Sequence, residues 1–130
     1  MNLRQVVADY GQRNGLPDLA LADRGPTVLP GQDGAHVLLE AADDELLIYA
    51  LAPAPYVSPE ALLGLLQACD LRHVPPQAWP IQVAARGQGA DLVLMLLLRL
   101  KGQRLSAQGM EEALSWLLRF RQDHARFGTP

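Results

Sequence analysis

Cysteine is almost missing from this sequence. Cys69 stands alone, so no internal disulfide can form, and a solitary thiol suits a reducing compartment. Lysine is as scarce, with Lys101 beside ten arginines. Acidic residues outnumber basic ones by 14 to 11, leaving a net charge of −3. Binding nucleic acid requires a basic face against the phosphates, so nucleic acid is not expected as the main partner. Aromatic residues are few too, with two Phe, two Trp and three Tyr. Long apolar runs are also lacking. A stretch such as Leu92 to Leu98 falls far short of the ~20 residues that span a bilayer, and MNLRQVVADYG has no apolar run of signal-peptide length. The sequence predicts a cytoplasmic protein without membrane insertion.

The residues of catalysis are present but scattered. His36, His73 and His124 lie on different predicted elements with no motif between them, and one cysteine gives no zinc spacing. Ser58 and Ser106 stand where helix caps belong, and no serine sits in a nucleophile elbow. Gly87-Gln-Gly89 is followed by neither a helix nor a lysine, so it reads as a hairpin turn and not a phosphate loop. Asp43-Asp44-Glu45 reads as a solvated turn. Cys69 falls on the apolar face of a helix, where it packs. No enzyme, metal or cofactor is expected.

What the chain does have is leucine in helical and strand rhythm. With 49% hydrophobic and 19% charged residues over 130 positions, it reads as one domain spanning residues 1–130. The most organised stretch is Ser58 to Leu71. Ser58 caps it, Pro59 suits the first helical position, and Leu62, Leu65, Leu66 and Cys69 share one face. Leu63 makes that face wider than a helix lying on one sheet requires. Ala61, Gly64 and Ala68 add a neighbouring stripe of small side chains. A glycine inside a helix costs about 1 kcal/mol relative to alanine, and close approach of another backbone is a reason to keep it. Ala61, Leu62, Gly64, Leu65 and Ala68 are the expected interface of a homodimer.

Around that helix, Leu3, Val6, Val7 and Tyr10 mark a first helix, with Gly11 and Asn14-Gly15 ending it. Leu19 to Ala22 reads as a short strand and Thr27 to Leu29 as a second strand or edge. His36 to Glu40 and Leu46 to Leu51 read as strands joined across Ala41 to Glu45, and Ile81 to Ala85 with Asp91 to Leu98 as another hairpin. Pro30-Gly31 and Asp33-Gly34 carry turn chemistry, and His73 to Pro80 is an irregular proline-rich segment. Ser106 caps a last helix whose core face is Met110, Ala113, Leu114, Leu117 and Leu118, with Trp116, Phe120 and Phe127 widening it. The order is α-β-β-β-α-β-β-α with a largely antiparallel sheet, which is the α+β class. LLIYAL and VLMLLL are apolar in both phases of the strand alternation. Helices should cover one side of those strands and something else the other.

These elements, in this order and spacing, resemble the class I chaperones of bacterial type III secretion, the Tir-chaperone-like family. The pieces that carry the likeness are Asn14-Gly-Leu-Pro-Asp-Leu-Ala-Leu-Ala-Asp23, Val37-Leu-Leu-Glu40, Leu46-Leu-Ile-Tyr-Ala-Leu51 and Glu60-Ala-Leu-Leu-Gly-Leu-Leu-Gln-Ala-Cys69. The family often has Asn after the alanine that ends the central helix, where this chain has Cys69-Asp70. The resemblance implies a cytoplasmic homodimer, without ATPase activity of its own, that binds the N-terminal segment of a secreted effector in extended form. An exposed flank of the first helix around Leu3, Val7 and Tyr10, with a neighbouring strand carrying Leu19 and Leu21, is the expected effector contact. The alternatives are an adaptor that regulates secretion or transcription by sequestering another protein, and a small-ligand sensor on a similar scaffold.

Overall fold

Each of the three helices begins where a side chain accepts a hydrogen bond that the first turn leaves unused. The computed structural model describes residues 2–30, 36–70, 72, 74–75 and 78–127. Helix α1 (Leu3–Arg13) starts at Asn2, whose Oδ1 accepts from the Gln5 N–H at 2.8 Å. Helix α2 (Pro59–Ala68) starts at Ser58, whose Oγ accepts from the Ala61 N–H at 3.1 Å. Helix α3 (Ala107–His124) starts at Ser106, whose Oγ accepts from the Gly109 N–H at 2.9 Å. The end of α1 falls at Asn14-Gly15, with Gly15 at φ 75°. Gly11 lies in the last turn of that helix, and its carbonyl closes the end by accepting from the Asn14 and Leu16 N–H groups at 3.2 and 2.8 Å. A Cβ there would collide with the Leu16 carbonyl oxygen, because the following loop folds back onto it. Leu71, His73, Gly31, Asp33 and Gly34, with Pro76 and Gln77, lie outside the described residues.

Five strands follow the predicted alternation: β1 (Thr27–Leu29), β2 (Val37–Ala42), β3 (Glu45–Pro53), β4 (Gln82–Arg86) and β5 (Val93–Leu100). They form one antiparallel sheet in the order β1-β2-β3-β5-β4. The element order is α-β-β-β-α-β-β-α, and the fold is α+β. Asp43 and Asp44 close the β2–β3 hairpin, a tighter link than the predicted one. A two-residue hairpin loop favours a left-handed φ, and Asp43 supplies it at 56°.

One predicted strand is corrected. Leu19 to Ala22 stands outside the sheet, and the first strand is Thr27–Leu29. Side chains take the place of ladder bonds along that segment. Arg4 Nη1 donates to the Leu21 carbonyl at 3.1 Å, and the Ala22 N–H donates to Thr27 Oγ1 at 2.7 Å. Arg4 Nη2 also meets Asp23 at 2.8 Å. Alternating leucines here mean that every second side chain dips towards the core.

Burial alternates strictly along β3 and β5. Leu46, Ile48, Ala50 and Ala52 face one side, with Leu94, Leu96, Leu98 and Leu100. Val6, Val7 and Tyr10 of α1 and Met110, Ala113, Leu114 and Leu117 of α3 complete the same core. Glu111 joins the two helices, accepting from Arg13 Nη2 at 2.8 Å and Asn14 Nδ2 at 2.9 Å. Farther along α3, Arg121 Nε donates to the Leu51 carbonyl at 2.8 Å. Burial, with Arg126 nearby, holds this guanidinium below the usual arginine range. The irregular segment before β4 is fixed by Trp79, whose carbonyl accepts from Trp116 Nε1 at 2.9 Å and whose ring lies 3.5 Å beneath the Arg104 guanidinium. That leaves α2 beside the second half of α3, with Leu65 its one fully buried side chain.

Candidate functional site

Direct cross-strand partners share a face, so the register of the sheet also defines its other side. One row there runs across all five strands: Val28, Leu38, Tyr49, Leu97 and Gln82. Beside it stand Leu51, Met95 and Ala84 on one flank, and Glu40, Leu47 and Arg99 on the other. Val28 is 62% exposed, while Leu38, Leu47, Tyr49, Leu51, Met95 and Leu97 are half-buried by one another. None of these side chains is part of the packed core. Among the described residues, no helix packs on this face.

Its polar groups gather towards one end. Arg99 Nη1 meets Glu45 Oε2 at 3.0 Å, Arg99 Nε donates to Gln82 Oε1 at 3.3 Å, and Lys101 approaches Glu45 at 3.6 Å. The hydrogen bond from Arg99 holds the Glu45 carboxyl below its usual range. Tyr49, at the centre, donates its hydroxyl to Glu40 Oε2 at 3.0 Å. Burial first, then that bond and the Glu40 charge, push the phenol up to about 12. An apolar centre with a charged border is the anatomy of a protein-binding surface.

A second apolar surface lies on α2. Leu63 and Leu66 are 55% and 49% exposed, and Ala61 and Gly64 are exposed beside them. A Cβ added at Gly64 would meet open space, so nothing within the chain requires glycine there. Of the residues expected to pair two copies, Leu62 and Ala68 are half-buried and Leu65, at 1% exposure, belongs to the chain's own core. Its place in an interface is corrected accordingly. Cys69, at the helix end, is half-buried, and burial pushes its thiol up, away from the reactive thiolate.

The residues expected to contact an effector divide in two. Val7, Tyr10 and Leu21 are core residues, because α3 and the sheet close over that side of α1. The expectation of an exposed flank carrying them is corrected. Leu3 and Leu19 remain half-buried and line separate grooves. Leu3 and Leu21, with Ala22 and Ala41, line one of about 320 Å³, while Leu19 and Val28, with Leu16 and Pro17, line one of about 440 Å³ beside the edge strand β1. His36 and His124 are both exposed, and the His124 ring lies 4.8 Å from that of Phe120. Among the described residues, no three His, Cys, Asp or Glu side chains cluster as metal ligands.

No family model and no curated protein matches the chain. Among solved structures, the fold is similar to that of the Yersinia pestis type III secretion chaperone SycH, crystallised in complex with a stable fragment of YscM2. The TM-score is 0.68 at 15% sequence identity, over 95% of this chain and 99% of that one. The chain has the α+β fold of that chaperone.

Proposed function

We propose that this protein is a cytoplasmic, homodimeric type III secretion chaperone that holds the N-terminal segment of a secreted effector in extended, export-competent form. The observation that carries the proposal is the helix-free sheet face, an apolar surface running from β1 across β2 and β3 to β5, with an edge strand and an apolar groove at its border. An extended segment can place alternate side chains on such a face and in the groove while its backbone pairs with an edge. The free energy comes from burial and main-chain pairing, and no nucleotide is needed. The likeness to SycH, which was crystallised with a protein fragment, supports the same reading. The grooves are open troughs along the surface, which favours a peptide over an enclosed small ligand.

The test starts from the protein that co-purifies with this chain in its native cytoplasm. Overlapping synthetic peptides from that protein are then titrated against the pure chaperone. Binding should map to an N-terminal peptide that stays protease-sensitive when bound, and Leu97→Asp should abolish it without unfolding the chaperone. Capture of a folded domain alone, or binding indifferent to Leu97→Asp, would overturn the proposal.

A further inference from the structure

Two residues near α2 break local rules within the single chain. Tyr56 sits at φ 51°, in the left-handed region, on a turn closed by the Val57 N–H donating to the Ala54 carbonyl at 3.1 Å. Glycine is the ordinary occupant of such a position, and a bulky side chain there is strained. The Tyr56 N–H donates to the Gly89 carbonyl at 3.0 Å, which holds the backbone in place, yet the side chain is 78% exposed. Burial therefore offsets little of the strain. Gly64 is the mirror case, a glycine inside a helix where a Cβ would touch nothing. The isolated chain would be better served by glycine at 56 and alanine at 64. Such local conflicts point to a partner that makes use of them.

The chain also contains a recess that fits what Tyr56 presents. A groove of about 360 Å³ between α2 and α3 is lined by Gln67, Ala68, Val74, Trp116, Phe120 and His124. Its floor is aromatic, with the Trp116 and Phe120 rings 6.1 Å apart. Tyr56 precedes the first turn of α2, and the groove adjoins its last turn. Gly64 lies near the middle of the ten-residue helix.

We infer that Tyr56 of one protomer inserts into the α2–α3 groove of its partner, and that the reverse contact forms about a two-fold axis near Gly64. A two-fold axis across the middle of a helix brings the N-terminal end of one copy against the C-terminal end of the other, so knob and hole meet twice. Glycine at the crossing lets the two backbones approach closely, and the exposed Leu63 and Leu66 on the same helix supply apolar surface for the contact. The second copy is chosen over a client because knob, crossing point and hole all lie along the same short helix. The inference rests on the dimer proposed above and adds the contact that holds it.

Sedimentation equilibrium on wild type, Tyr56→Gly, Tyr56→Phe, Ala68→Arg and the Tyr56→Gly/Ala68→Arg double variant tests it. Tyr56→Gly should weaken dimerisation roughly 30-fold or more, as truncating a buried aromatic anchor does. Its melting temperature as a dilute monomer should equal or exceed that of wild type, because glycine relieves the backbone. Tyr56→Phe should stay close to wild type. Ala68→Arg fills the groove and should match Tyr56→Gly, with the double variant no weaker than the worse single one. Wild-type dimers with an unchanged constant in Tyr56→Gly, or losses that simply add, would overturn the contact and leave the dimer standing. Tyr56→Gly that dimerises normally but loses the effector would assign Tyr56 to the client instead. A wild type that is monomeric at every concentration would overturn the dimer and this contact together.

Discussion

The two faces of the sheet are built from the same leucines and are used in opposite ways. Leu96 and Leu97 are adjacent on β5. Leu96 is fully buried on the side that α3 covers, whereas Leu97 stands in the open row with Tyr49 and Leu38. Burial on the first face is complete within one chain. On the second, apolar side chains shield one another only partly, and the remaining free energy becomes available when something covers them. One face stabilises the fold, and the other is suited to binding.

The sharpest way to break this comparison is to place a charge on each side. Leu96→Asp buries an unpaired carboxylate at a cost of several kcal/mol and should unfold the protein, as read by circular dichroism. Leu97→Asp should leave the spectrum unchanged. Equal damage from both would mean that the second face is already closed within the chain. A milder pair refines the contrast. Leu96→Ala should cost about 2–5 kcal/mol in urea denaturation, and Leu97→Ala about 1 kcal/mol or less.

A smaller effect is expected on α2. Gly64→Ala should raise monomer stability by up to about 1 kcal/mol, measured under conditions too dilute for association. Loss of stability there would indicate an intramolecular need for glycine that the open space around it does not suggest. The smallest change is at Tyr49. Replacing it with Phe removes the bond to Glu40 and should cost about 0.5–1 kcal/mol. Its phenol is raised from 10.0 to about 12, so its share of stability is fully present below pH 10 and is lost as pH rises towards 12. Absorbance titration of wild type against Tyr49→Phe should show one phenol fewer at the alkaline end. A missing phenol at the ordinary tyrosine pKa would mean that Tyr49 is neither shielded from water nor bonded to Glu40.

Much of the comparison is already legible in the chain. LLIYAL and VLMLLL are apolar in both phases of a two-residue period, and that pattern belongs to strands with two apolar faces. Serine caps at 58 and 106 mark two helix starts, because their hydroxyls have a fixed local task. The fates of Val7, Tyr10 and Leu21 are not legible in the same way. Their burial depends on packing among α1, α3 and the sheet, whose positions no local pattern records. Leu19 to Ala22 carries strand alternation, yet Arg4 and Thr27 claim its backbone. Tyr56 gives no sequence signal at all, since nothing in a tyrosine announces a left-handed φ.

The clasp that joins Glu111 to Arg13 and Asn14 links residues 98 and 97 positions apart. During synthesis, α1 leaves the ribosome long before α3 exists, and β3 waits for β5 in the same way. The apolar side of α1, with Val6 and Val7, therefore stays uncovered until most of the chain has been made. Closure of the core is a late event that joins distant segments together, and such folding is slow and exposed to aggregation. On this account, the nascent chain itself depends for a time on the cell's folding machinery.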